Sequence, residues 1–174
     1  MSYLTQKTII NSVSFSGIAL HSGKSVNLKI LPAEVDCGIV FKRVDLKKNN
    51  LVYPNFMNVT NTSLNTTIEN EFGAKVSTIE HLMGALFGLG IDNAIIEIDN
   101  EEVPILDGSA KVFINKIINA GIKASDAPIK VIKINKEIKY SEGERFISIK
   151  PSTLNLIIEF ELKYNNEIIG NQKN

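Results

Sequence analysis

Apolar and polar residues alternate along "KSVNLKILPA", where Val26, Leu28 and Ile30 interleave with Ser25, Asn27 and Lys29. A period of two is that of a strand with one buried face. "KTIINSVSFSGIAL" carries the same alternation with many β-branched residues, and the turn-like "HSG" between the two segments predicts a hairpin. "GIVFKRVDL" predicts a third strand. The stretch "LKKNNLVYPNFMNVTNTS" is polar, rich in Asn and broken by Pro54, so a small insert, loop or sheet, is expected over 47–76. Within it, "LNTTIENEFGAKVS" predicts a short hairpin turning near 70–73.

The period then changes. In "STIEHLMGALFGLGIDNA" the apolar residues Ile79, Leu82, Met83, Leu86 and Phe87 recur at helical spacing, which predicts a helix over 77–89 with those five on its buried face. "DNAIIEID" predicts a strand, "NEEVPILDG" a loop, and "SAKVFINKIINAGI" a second helix. Ser109 or Asp107 can cap that helix, and Gly121 stands where a C-terminal glycine belongs. "KASDAP" reads as a linker, and from Ile129 onward the pattern predicts only strands, with a turn at 141–144. Many strands, two helices around one strand, then strands again argue for an α+β fold with a mostly antiparallel sheet. Strands with no helix to cover them make an incomplete layer. The expected organisation is therefore a complete domain over 1–124, followed by a linker and an incomplete second domain over 125–174.

Composition narrows the function classes. Of the 174 residues 44% are hydrophobic and 22% charged, as in a globular chain able to bury a core. Nineteen basic and nineteen acidic residues cancel, so no global field attracts nucleic acid or an anionic membrane. A single cysteine, Cys37, excludes an intrachain disulfide and a multi-cysteine zinc site. The N-terminus lacks the apolar core of a signal peptide, and no apolar run reaches the length of a membrane span. The chain reads as cytoplasmic.

Candidate chemistry concentrates at the start of the first helix. S-x-x-E at 77–80 is a capping box, in which Ser77 and Glu80 satisfy each other's backbone amides. That cap is the plain alternative to any catalytic role for Glu80. At about 100° per residue, His81, Gly84 and Gly88 share the side opposite the apolar stripe, with Glu80 on its flank. Each mid-helix glycine costs about 1 kcal/mol against alanine, so two of them suggest close approach by a helix or a ligand. A lone histidine is more often a hydrogen-bonded core residue than a metal ligand. The helix N-terminus nevertheless favours neutral imidazole and carboxylate anion, the metal-binding and general-base forms. The E-H order is not the H-E-x-x-H of zincins. "GIALHSGKS" fails as a P-loop, because five residues separate Gly17 from Gly23 and a strand pattern follows. His21 in that turn reads as solvated.

"GIALHSGK", "RVDL", "TSL", "STIEHLMGALFGLGIDNA" and "EVPILDGSA", in this order, closely resemble the bacterial UDP-3-O-acyl-N-acetylglucosamine deacetylase family of lipid A biosynthesis. The resemblance is dense over 5–122 and extends to the C-terminus. It implies two similar domains, each a sheet with two helices, with the helices packed between the sheets. It also implies one Zn2+ ion that activates water for hydrolysis of the substrate's N-acetyl amide. Carried over by position, His81 is a zinc ligand, Glu80 is the general base, and Thr62, Ser63 and Leu64 lie near the entry for substrate. The family's other two zinc ligands form an H-x-x-x-D motif in the second domain, and a further histidine there acts as acid. This chain has only His21 and His81. The resemblance thus implies a deacetylase cut short, inactive by itself, with a non-catalytic remnant or binding module as the alternative.

Overall fold

A computed structural model of the chain describes residues 4–153 and 156–174. The chain divides into two compact units, Met1–Ile129 and Lys130–Asn174. The architecture is α+β, and no helix among the described residues is long and apolar enough to cross a membrane.

The first unit is built on a five-stranded sheet of β2 (Val13–Ile18), β3 (Ser25–Pro32), β4 (Ile39–Arg43), β5 (Leu51–Val52) and β9 (Ala94–Ile98), in the order β2-β3-β9-β4-β5. Only the β4–β9 pair is parallel. The alternation read from "KSVNLKILPA" is realised: Val26, Leu28 and Ile30 are buried, while Ser25, Asn27 and Lys29 face out. Helices α1 (Glu80–Leu89) and α2 (Lys111–Ala120) pack on each other and complete the core. Phe15, Phe41, Phe113, Leu82, Leu86 and Ile117 are fully buried there, and the Phe15 and Phe113 rings meet with centroids 4.9 Å apart.

A separate three-stranded antiparallel sheet holds β6 (Val59–Asn61), β7 (Thr67–Glu69) and β8 (Lys75–Ser77). Its β7–β8 turn is fixed by Asn70, whose side-chain oxygen accepts from the amides of Phe72 and Ala74, and by Gly73 at φ 84°.

Three readings of the sequence change. "KTIINSVSFSGIAL" is two strands, β1 (Thr5–Ile9) and β2, because the chain bends at Ile10–Asn11 to donate backbone amides to Gly121 and Ala120 at the end of α2. A Cβ on Gly121 would lie 2.9 Å from Ile10 Cδ1, so glycine there is required by close approach as well as by its φ of 79°. "KASDAP" is not a linker. It lies in β10 (Ile122–Pro128), which pairs antiparallel with β1. The pairing is locked by Gln6, which donates to the Pro128 carbonyl, and by the Ser125 hydroxyl, which donates to the Gln6 carbonyl.

In the second unit the first strand begins at Ile138, so "IKVIKIN" is irregular. β11 (Ile138–Glu142) and β12 (Arg145–Ile149) form the expected hairpin, with Gly143 at φ 59° in its two-residue turn. β13 (Glu161–Lys163) pairs with β14 (Asn171–Lys173). Leu154 and Asn155, also read as strand, lie outside the described residues. None of the described residues of 130–174 is buried.

Candidate functional site

The start of α1 departs from the capping box. Ser77 ends strand β8, and its hydroxyl donates to the Glu101 carbonyl at 3.1 Å. Its backbone is also engaged, donating to Glu101 and accepting from Val103. The N-cap position falls to Ile79, which offers no side-chain bond. With Ser77 occupied in a sheet-like bridge, Glu80 is released from the reciprocal cap. Its carboxylate instead accepts the backbone N–H of Thr66, which follows β6. Glu80 is exposed and His81 half-buried, in the first turn of α1.

The link between β8 and α1 is Thr78, at φ 56°. A β-branched residue in the left-handed region is a genuine outlier and costs on the order of 1–3 kcal/mol unless its surroundings fix it. Here they do. The Thr78 hydroxyl donates to Glu102 Oε1 at 3.0 Å and accepts from the Asn65 side-chain amide at 3.2 Å. Glu102 is only 3% exposed, and its carboxylate also accepts the backbone N–H groups of His21 (2.9 Å) and Ser22 (3.0 Å). Burial opposes its charge. The His21 and Ser22 amides, with the Ser22 and Thr78 hydroxyls, outweigh that and hold the carboxyl below the ordinary value of 4.5.

Arg43 and Asp45 of "RVDL" anchor the same region. The Arg43 guanidinium is 4% exposed, forks onto Asp45 at 2.8 and 2.6 Å, and donates to the Lys75 carbonyl of β8 at 2.8 Å. That fork lowers the Asp45 carboxyl from its ordinary value.

An open cleft of about 480 Å³ lies beside this junction, with His21, Ser63, Leu64, Asn65, Ser77 and Glu101 among its walls. Leu64 is 91% exposed at φ 66°, held on a turn in which Asn61 accepts the Ser63 amide. Thr62, Glu80 and His81 are not among the residues that line it. On α1 the exposed side carries Glu80, Gly84 and Gly88 as expected, but also Phe87, which is 73% exposed and not in the core. Ala85 takes its place beside Leu82 and Leu86. Glu102, Thr78 and the Asn65–Thr66 backbone were not singled out by the sequence. Nothing local to "NEEVPILDG" marks which glutamate turns inward.

The donors present do not by themselves fit zinc. A catalytic zinc takes about three protein ligands. Among the described residues no three His, Cys, Asp or Glu side chains gather as a metal ion would need.

Comparison with known proteins agrees with the motifs. The family model described as "LpxC: UDP-3-O-acyl N-acetylglycosamine deacetylase" matches residues 6–174. A UDP-3-O-acyl-N-acetylglucosamine deacetylase of Nautilia profundicola is 45% identical over 170 residues, covering 98% of this chain and 57% of that protein. Proteins of the same name from Cellvibrio japonicus and Geotalea uraniireducens are 43% and 44% identical, covering 91% and 96% of this chain and 53% and 54% of theirs. The chain thus spans about half the length of the curated relatives it matches. With nearly its whole length matched and its motifs brought to one junction of sheet and helix, the chain belongs to the UDP-3-O-acyl-N-acetylglucosamine deacetylase family.

Proposed function

We propose that this chain supplies one half of the catalytic apparatus of a UDP-3-O-acyl-N-acetylglucosamine deacetylase, a hydrolase of lipid A biosynthesis acting in the cytoplasm. The observation that carries the reading is Glu80: an exposed carboxylate at the positive end of α1, one oxygen held by the Thr66 amide, next in sequence to His81. A carboxylate fixed through one oxygen keeps the other to take a proton, the role of a general base in amide hydrolysis. His81 supplies one ligand to a zinc ion whose remaining ligands lie outside residues 1–174. Thr62, Ser63 and Leu64 border the path of the substrate, the last two in the wall of the adjacent cleft. The unit Met1–Ile129 is read as the first domain and the open strands after it as the beginning of the second.

A second reading, a non-catalytic module that keeps the first domain's fold, is favoured by the lack of three metal donors among the described residues. Protein expressed from its complete reading frame, with zinc supplied, separates the two. Release of acetate from UDP-3-O-acyl-N-acetylglucosamine, abolished in Glu80→Ala, is the expected result. Folded protein that releases none sinks the catalytic reading.

A further inference from the structure

We infer that Glu102 is the positioning residue of this site: its buried carboxylate joins the His21–Ser22 turn to Thr78 and thereby sets where α1 presents Glu80 and His81. The inference rests on the catalytic reading of Glu80 above, but its geometric part stands without it.

Three observations converge. Glu102 neighbours Glu101, whose carbonyl accepts from Ser77, and Val103, whose amide donates to Ser77, so its backbone is fastened directly to the end of β8. Its carboxylate spans two separate segments, accepting at Oε1 from the His21 amide and the Thr78 hydroxyl and at Oε2 from the Ser22 amide. Thr78 stands two positions before Glu80 in a backbone conformation that threonine avoids, and its hydroxyl is bonded to Glu102 and Asn65. Without an acceptor there, Thr78 gains by leaving φ > 0. The first turn of α1 then swings, because a change at Thr78 is inherited by the two residues that follow. Glu80 would lose its register with the Thr66 amide. Among the described residues the Glu102 carboxylate meets only neutral donors, the His21 and Ser22 amides and the Thr78 hydroxyl, and is committed to this junction. Nothing in this arrangement brings Glu102 to substrate: it is 3% exposed and acts through Thr78.

Glu102→Gln tests the inference. Glutamine keeps the size, but whichever way it turns, an NH2 group faces a backbone amide, donor against donor. In the 174-residue chain, hydrogen-exchange protection of the Thr66 amide is followed by NMR, with Glu80→Gln as the blank for its bond to Glu80. Wild type should protect that amide, and Glu102→Gln should lose the protection while that of β3 and β9 persists. In the protein from the complete reading frame, kcat should fall about 10- to 100-fold, the scale expected for misplacing a reacting group, with KM little changed. Adding Thr78→Gly should recover part of kcat, since glycine adopts φ > 0 without a Cβ penalty. Retained protection of the Thr66 amide in Glu102→Gln overturns the inference. Should Glu102→Gln fail to fold, the Glu102→Gln/Thr78→Gly pair is measured in its place, and failure of the pair to regain folded structure also overturns it. A wild-type protein without deacetylase activity refutes the catalytic reading only, because the protection of the Thr66 amide still decides the positioning.

Discussion

Replacing Glu80 by alanine separates a residue that holds the fold from one that moves a proton. The structure bounds the stability cost. The side chain is exposed, makes one hydrogen bond, to the Thr66 amide, and stands in the first turn of α1. A favourable charge at an exposed helix N-terminus contributes about 0.3–1 kcal/mol. One exposed hydrogen bond adds about 0.5–1.5 kcal/mol before solvent competition. With Ser77 bonded elsewhere, no capping-box term is added. The expected loss is thus about 1 kcal/mol, and with a urea m-value of about 1–3 kcal/mol/M the midpoint should fall by roughly 0.5 M. A domain with about 5 kcal/mol or more of stability remains almost wholly folded after such a loss. Unfolding then accounts for none of a drop in turnover, whereas loss of a general base lowers turnover by about 10²–10⁴-fold. Urea denaturation and acetate release are measured on the same Glu80→Ala preparation, made from the complete reading frame. Turnover within a few-fold of wild type, with the midpoint lowered as calculated, would refute the proton-transfer role.

Zinc should bind the 174-residue chain weakly, since one imidazole leaves a zinc ion mostly hydrated; calorimetry showing tight 1:1 binding that disappears in His81→Ala would contradict this. Stability should also decline in acid. The Glu102 and Asp45 carboxyls both lie below their ordinary values of 4.5 and 3.8, so their contributions are fully present above those values and vanish as pH falls through the depressed ones. Denaturation midpoints followed downward from pH 5 in wild type and Glu102→Gln check it: the variant should start lower and show a flatter acid limb, and parallel curves would count against the assignment. Phe113→Ala removes a fully buried ring tilted against that of Phe15 and should cost about 3–5 kcal/mol by urea denaturation; a loss below about 1 kcal/mol would mean the two helices are not seated on the sheet as described.

Local pattern carried much of this protein. The two-residue period of β3 and the Gly90 stop of α1 are properties of short segments. Gly90 adopts φ 67° and closes the helix through its own amide and that of Ile91, bonded to the Phe87 and Leu86 carbonyls. Family motifs were legible for the same reason, being contiguous strings. What the sequence misread was decided by groups far apart in the chain. S-x-x-E is a sound local cap, but Ser77 found a partner in Glu101, 24 residues on, and Glu80 found one in Thr66, 14 residues back. "KASDAP" has a linker's composition and became a strand because β1 offered a free edge more than a hundred residues earlier. Phe87 fits the apolar period, yet Ala85 and Leu86 are the residues buried in the core and its ring stays outside. Glu102 was indistinguishable in sequence from its exposed neighbour Glu101. Only the meeting of β8, the His21–Ser22 turn and the loop after β9 gives one of the two glutamates three hydrogen-bond donors and excludes water from it, because a buried carboxylate persists where tertiary structure supplies partners that no local sequence can specify.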